Sequence, residues 1–213
     1  MGDIIKISEF EYVLFDFDDT LVLSGAIHEA AYKSVLNSIG SDVDFDYTSF
    51  RGKETVKVFE KLGFTLLEAR SLSKLKSERY GEIAQKELLC APCVRDVVDF
   101  LLTTGKRLGI VSNGSEHSIF LGLRLTGLAK FFEVVISRDH VAEGKPSPEG
   151  ILMAMHHFDC HSGNTLFIDD SVDGIQASNL AGVKSIKIGS NVKSATNNIA
   201  NMCELLIEFR SGR

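Results

Sequence analysis

The sequence predicts an α/β fold: a doubly wound, Rossmann-like parallel sheet in three α/β/α layers, interrupted by an all-helical insertion. Three observations carry this. Five short, apolar, β-rich runs recur along the chain, helical patterns separate the later ones, and the stretch between the first and second runs holds helical patterns only. Strand and helix in alternation build a parallel sheet covered on both faces.

The first run, Tyr12–Phe17, has strand length and stops on the carboxylates Asp16, Asp18 and Asp19. It reads as a buried strand with its carboxyl end at a ligand site. Asp16 and Asp18 are two apart, so extended chain projects them to one side. Carboxylates that close repel each other unless a cation or proton intervenes, which asks for a hard divalent ion, most simply Mg²⁺.

From about Ser24 to Ala91 come helical patterns at Ile27–Ile39, Thr55–Leu62 and Leu66–Leu89. Leaving the chain just after the first acids, this insertion should hang over the carboxyl edge of the sheet as a lid. The expected division is a core of residues 1–23 and 92–213 and a helical cap of residues 24–91.

The later strands are predicted at Arg107–Ser112, Glu133–Ser137, Asn164–Asp169 and Lys184–Ile188. Helices are predicted at Val94–Thr104, Glu116–Ala129, Pro148–Phe158 and Val172–Ala181. Gly105, Gly127 and Gly182 fall where helices should stop. Gly189 to Asn198, rich in Ser and Asn, reads as a loop before a last helix.

Three more polar clusters follow predicted strands. Ser112-Asn113-Gly114-Ser115 opens a helix, where hydroxyl, amide and backbone N–H groups either cap the helix or hold phosphate oxygens. Gly144-Lys145-Pro146-Ser147-Pro148 fixes a lysine in a stiff loop. Asp169-Asp170-Ser171 ends the fourth run with two acids suited to a cation, or with a helix cap. Asp173 reads mainly as a first-turn acid favoured by the helix dipole, with Lys145 as a lesser partner. All four clusters converge on one sheet edge.

The order Asp-x-Asp, Ser, Lys, Asp-Asp resembles the haloacid dehalogenase superfamily of phosphotransferases. Asp16-Phe17-Asp18-Asp19-Thr20-Leu21 matches its first motif, Ser112 its second, Lys145 its third and Asp169/Asp170 its fourth. Gly144–Pro148 and Asp170–Gly182 resemble the subgroup of phosphoglycolate phosphatases, sugar phosphatases and β-phosphoglucomutases, which carries a helical cap at this place. The resemblance implies that Asp16 attacks phosphorus and forms an aspartyl-phosphate, while Asp18 serves as acid and then base. It implies Mg²⁺ on Asp16, Asp170 and the backbone carbonyl of Asp18, with Asp169 helping through water. Ser112, Gly114 and the N–H groups of Phe17 and Asn113 would hold the phosphoryl oxygens, and Lys145 would neutralise charge. Asp19 and Cys93 stand where the family more often has Gly.

The cap should select the substrate, a small phosphorylated metabolite. Its candidates are His28, Arg51, Lys53 and Lys76, each with a surface or turn reading beside it. A phosphomutase is the second reading, but the cap arginine it needs has Thr55 in its place. A receiver-like module has the wrong motif order, a catalytically dead binding module lacks no core residue here, and no P-loop pattern is present. His156, His157 and His161 read as surface residues.

Composition agrees with a globular chain, with 44% hydrophobic and 24% charged residues. A net charge of −6 argues against nucleic acid or an anionic membrane as partner. There is no apolar run long enough to span a bilayer, and Met1–Lys6 lacks the pattern of a signal peptide. Four cysteines do not make a disulfide scaffold, so a reducing, cytoplasmic setting is expected, with Cys90-Ala91-Pro92-Cys93 in packing or hinge roles. A monomer is expected, with a dimer as the alternative.

Overall fold

The computed structural model describes residues 5–190 and 192–212. The reading of the first four residues lies outside them. In chain order the elements are β1 (Tyr12–Phe15), α1 (Gly25–Ser38), α2 (Thr55–Lys61), α3 (Leu66–Glu87), α4 (Val94–Thr103), β2 (Arg107–Val111) and α5 (Glu116–Thr126). There follow β3 (Val134–Ile136), α6 (Glu149–Phe158), β4 (Thr165–Asp169), α7 (Val172–Leu180), β5 (Lys184–Ile188), β6 (Asn197–Ile199) and α8 (Met202–Ser211).

Among the described residues six strands form one parallel sheet, in the order β3-β2-β1-β4-β5-β6. Strand order therefore reverses between β1 and β4, the place where open α/β sheets form a crevice at their carboxyl edge. Side chains alternate across the sheet. Val13 and Phe15 pack with α4, α5 and α8, whereas Leu14 packs with α6 and α7. Both faces are covered, which is why the strands read as continuous apolar runs.

The helices between β1 and α4 form a cap with its own apolar cluster, including Tyr32, Leu36, Phe45, Phe59 and Leu72. Its two connections to the core run side by side. Leu23 N donates to Leu89 O at 2.9 Å and Ala91 N to Leu21 O at 3.0 Å. The cap loop of residues 51–54 is docked on the core: Asn113 Nδ2 donates to Gly52 O at 2.8 Å, Arg138 pairs with Glu54 at 3.2 Å, and Lys53 pairs with Asp173.

Several boundaries differ from the sequence reading. α5 stops at Thr126, short of Ala129, because Gly127 takes φ 67° and its N–H closes the helix on Arg124 and Leu123 carbonyls. β6 begins at the end of the stretch read as a loop; only Ile199 of its three residues is buried, so no apolar alternation marks it.

The cysteine reading needs correction. Cys93 is joined to Cys203 by a disulfide across 110 residues of sequence, and only Cys90 and Cys160 are free. Cys90 and Cys93 are close in sequence but not paired with each other: Cys93 is bonded to Cys203, and the Cys90 sulfur faces the Thr126 carbonyl at 4.0 Å. Among the described residues no helix is long and apolar enough to cross a membrane.

Candidate active site

The carboxyl ends of β1 and β4 meet at the crevice. Asp16 N donates to Ile168 O at 2.8 Å, which sets Asp16 beside Asp169 and Asp170. One carboxylate oxygen from each of these three lies within 4.8 Å of the others. Lys145 enters from the loop before α6, with Nζ 2.5 Å from Asp16 and 2.7 Å from Asp169. Its loop is anchored by Asn113, whose Oδ1 accepts from Lys145 N at 2.7 Å and whose Nδ2 donates to Lys145 O at 2.9 Å. Asp169 is fully buried and accepts from Ser171 N and Ser171 Oγ, both at 2.6 Å. The first turn of α7 comes so close that only glycine fits at 174: a Cβ there would overlap the Asp169 carboxylate.

The electrostatics follow from burial. Desolvation pushes the Asp16 carboxyl well above its ordinary range; Asp169, Asp170 and Asp18 add to this, and Lys145 opposes it. Asp170 is pushed up to about 7 by burial and then by Asp169 and Asp19. Lys145 is pushed upward: burial opposes its charge, but Asp16 and Asp169 outweigh burial. Ionised together, the three acids would carry more negative charge than Lys145 offsets. Hard oxygen donors in this arrangement suit Mg²⁺. Arg51 of the cap adds partial compensation, 3.2 Å from Asp19 and 3.5 Å from Asp170.

Asp18 is held differently. It accepts from Ser24 Oγ at 2.7 Å and meets His28 Nε2 at 3.0 Å. Burial alone would raise its pKa, but the His28 contact and then Ser24 hold it down at about 2. His28 Nδ1 in turn lies 2.6 Å from Lys76 Nζ. The imidazole is stacked between Tyr47 and Tyr80, with ring centroids 5.3 and 4.5 Å away, and Lys76 lies over the rings of Tyr32 and Tyr80. Burial pushes Lys76 down to about 8, and burial followed by Lys76 pushes His28 down.

These groups line one cavity of about 120 Å³ between cap and core. Asp16, Asp18, His28, Arg51, Lys53, Lys76, Ser112, Asn113, Gly114, Lys145 and Asp170 all face it. Phe17 does not. Its ring is buried in the core, and only its backbone lies between the two acids of the first motif. Asp169 sits behind the cavity. Asp173 is held by Lys53 from the cap, not by Lys145. His156, His157 and His161 are exposed, away from the site.

Sequence reasoning missed Ser24, which holds Asp18, and Tyr32, Tyr47 and Tyr80, which pack on His28 and Lys76. Two had a signal: Tyr32 follows His28 by four and Tyr80 follows Lys76 by four, so each pair shares a helix face. It also missed that Asn113 ties the lysine loop to the cap loop.

Residues 13–188 match the family model described as haloacid dehalogenase-like hydrolase. The pyrophosphatase PpaX of Oceanobacillus iheyensis is 28% identical, covering 85% of this chain and 84% of its own. The phosphoglycolate phosphatase of Salmonella typhi is 29% identical over 85% of this chain and 82% of its own. Among solved structures, CbbY from Rhodobacter sphaeroides in complex with phosphate superposes with a TM-score of 0.84 at 22% identity, over 94% of this chain and 99% of that one. A β-phosphoglucomutase from Clostridium difficile gives 0.81 at 18% identity, over 95% and 98%. With the family model spanning most of its length and the four motif clusters gathered at one sheet edge, the chain belongs to the haloacid dehalogenase-like hydrolases.

Proposed function

We propose that this chain is a Mg²⁺-dependent phosphomonoesterase, acting on a small phosphorylated metabolite such as a sugar phosphate or a phosphoglycolate-like acid through an aspartyl-phosphate on Asp16. The observation that carries this is the separate holding of two acids in one cavity. Asp16 is gripped by Lys145 among the other acids, while Asp18 is held by His28 and Ser24. This separation supports a reading in which one carboxylate attacks and the other moves protons.

Asp16 attacks phosphorus in line, and the leaving oxygen departs on the opposite side, toward Asp18. Asp18 delivers a proton to that oxygen, then takes one from the water that hydrolyses the aspartyl-phosphate. The chain Lys76–His28–Asp18 orients this carboxyl: Lys76 donates to His28 Nδ1, which leaves Nε2–H donating to Asp18. Ser112, Gly114 and the Asn113 backbone hold phosphoryl oxygens, and Lys145 neutralises charge shared by nucleophile and phosphate. Asp16, Asp170 and the Asp18 carbonyl would hold Mg²⁺, with Asp169 behind them. When bound, that ion supplies the positive charge that lets an anionic carboxylate meet an anionic phosphate.

The volume of about 120 Å³ lies below the range of roughly 300–1,000 Å³ usual for drug-sized ligands, which favours a short leaving group. It argues against the mutase reading, which needs room for a second phosphate. The proposed partner is the metabolite alone, with neither nucleic acid nor membrane, and the working form a monomer, with a dimer as the alternative. The proposed compartment is the cytoplasm.

The test is phosphate release from a panel of small phosphomonoesters and pyrophosphate, with and without Mg²⁺, with Asp16→Asn in parallel. Metal-dependent release lost in the variant is the expected result. Release retained in Asp16→Asn would overturn the nucleophile assignment. No release from any member by folded protein would overturn the phosphatase reading.

A further inference from the structure

The Cys93–Cys203 disulfide sits where the chain returns from cap to core. Leu89 and Ala91 pair with Leu23 and Leu21 where the two connections run antiparallel, and Val22 bridges Cys90. Two residues beyond Ala91, Cys93 precedes α4, and the bridge ties it to the first turn of α8. Cys93 holds φ 61°, a left-handed conformation that residues with a Cβ avoid and glycine adopts freely. A cysteine is kept in a slot that suits glycine, and there it makes the crosslink.

Both bridged residues are only half-buried. Cys203 also lines a second cavity, of about 510 Å³, whose other walls include Pro92, Asp19, Arg51 and Asp170. A reductant thus has access to the bridge, and the same space reaches the acids of the active site. Disulfides in a reducing compartment are mostly transient and redox-sensing.

We propose that Cys93–Cys203 is a reversible redox modification site, opened by a dithiol reductant, that sets how firmly the cap closes over the active site. One thiolate of the dithiol attacks a bridge sulfur, forming a mixed disulfide, and the other cysteine leaves as a thiolate and takes up a proton. The second thiol of the reductant, losing its proton, then displaces the remaining cysteine. The products are two protein thiols and the oxidised, cyclic dithiol, with two electrons transferred. In the bridged form Cys93, at the end of the return strand, is pinned to α8, so the cap pivots about a strand with one fixed end. Reduction frees Cys93 from α8 and loosens the pairing with residues 21–23.

The experiment uses the full chain, purified without reductant, then alkylated under denaturing conditions and mapped by mass. Two alkylated thiols, Cys90 and Cys160, are expected before dithiothreitol and four after it. The reduced protein should melt about 5–15 °C lower, as loss of a long-loop crosslink in a chain of this size implies. Its KM for the best ester should rise about fivefold, with smaller change in kcat, and reoxidation should restore both. Cys93→Gly, which relieves the left-handed backbone, and Cys203→Ser should behave like the reduced protein and lose sensitivity to dithiothreitol.

Four free thiols in the air-exposed protein, or a Cys90–Cys93 crosslink in place of Cys93–Cys203, would overturn the proposal. So would bridged and reduced forms with equal KM. This rests on the phosphatase reading only for the KM readout. If no ester is turned over, hydrogen exchange at residues 21–24 and 89–95 decides. Faster exchange on reduction supports the device and equal exchange overturns it, whatever the fate of the phosphatase reading.

Discussion

His28, carried by the cap, places Nε2 3.0 Å from Oδ1 of Asp18 in the core. Lys76, also in the cap, holds the other ring nitrogen at 2.6 Å. The set of contacts around Asp18, the acid proposed to move protons, is therefore complete only when cap and core meet. His28→Ala should lower kcat on the order of 100-fold while leaving Mg²⁺ affinity unchanged. The pH profile should shift, since the His28 contact is the main cause that holds Asp18 low. An unaltered kcat and profile in steady-state assays would remove His28 from the proton path.

Lys76 illustrates the stability given up for this arrangement. Burial takes it from 10.5 down to about 8, with Asp18 opposing. Between these values the unfolded chain binds the proton and the folded chain does not. The penalty is therefore full below pH 8, on the order of 3 kcal/mol, and fades as pH rises toward 10.5. Lys76→Met should be more stable than the parent at pH 7 by about 1–3 kcal/mol and less active, with the stability gap closing above pH 10. Urea denaturation at pH 7 and pH 10 measures both gaps; a destabilised variant at pH 7 would contradict the argument.

Asp170 stands between the two cavities. It lines both cavities and meets Arg51 of the cap at 3.5 Å. Asp170→Ala should weaken Mg²⁺ binding on the order of 100-fold or more, since even outer partners of a metal site reach that magnitude. Calorimetric Mg²⁺ titration reads this without turnover, and an unchanged isotherm would take Asp170 out of the ligand set.

What could be read in the sequence was whatever lies within one strand-to-helix junction. Asp16, Ser112, Lys145 and Asp169 each follow an apolar run, and a buried strand ending in polar residues is a local signal. Contacts between cap and core were not legible. Arg51 reaches Asp170, Lys53 reaches Asp173 and Asn113 reaches Gly52 across 61 to 120 residues of sequence, and no local pattern encodes such pairs. The Cys93–Cys203 bridge was hidden for the same reason, and the nearby Cys90 offered a false partner. β6 was hidden by composition, as Asn197 and Asn198 are residues that strands usually exclude.

Gly174 gives the sharpest link between a backbone position and the chemistry. It lies in the first turn of α7, against the carboxylate of Asp169, which in turn holds Lys145 at 2.7 Å and accepts two hydrogen bonds from Ser171. A methyl group at 174 must displace either the helix turn or Asp169. Gly174→Ala should therefore cost about 1–3 kcal/mol of stability through overpacking. Displacement of Asp169 would also shift Lys145 relative to Asp16, so turnover should fall on the order of 100-fold. The matched control is Gly81→Ala in α3, where a Cβ would meet only Leu121 at 3.6 Å, an ordinary contact. That change should be neutral or stabilising by up to about 1 kcal/mol, as alanine is the better helix former. Thermal melts and turnover of the two variants separate the general effect of a helical glycine from the packing of α7 on Asp169. Equal behaviour of the two would mean that the turn yields without moving Asp169.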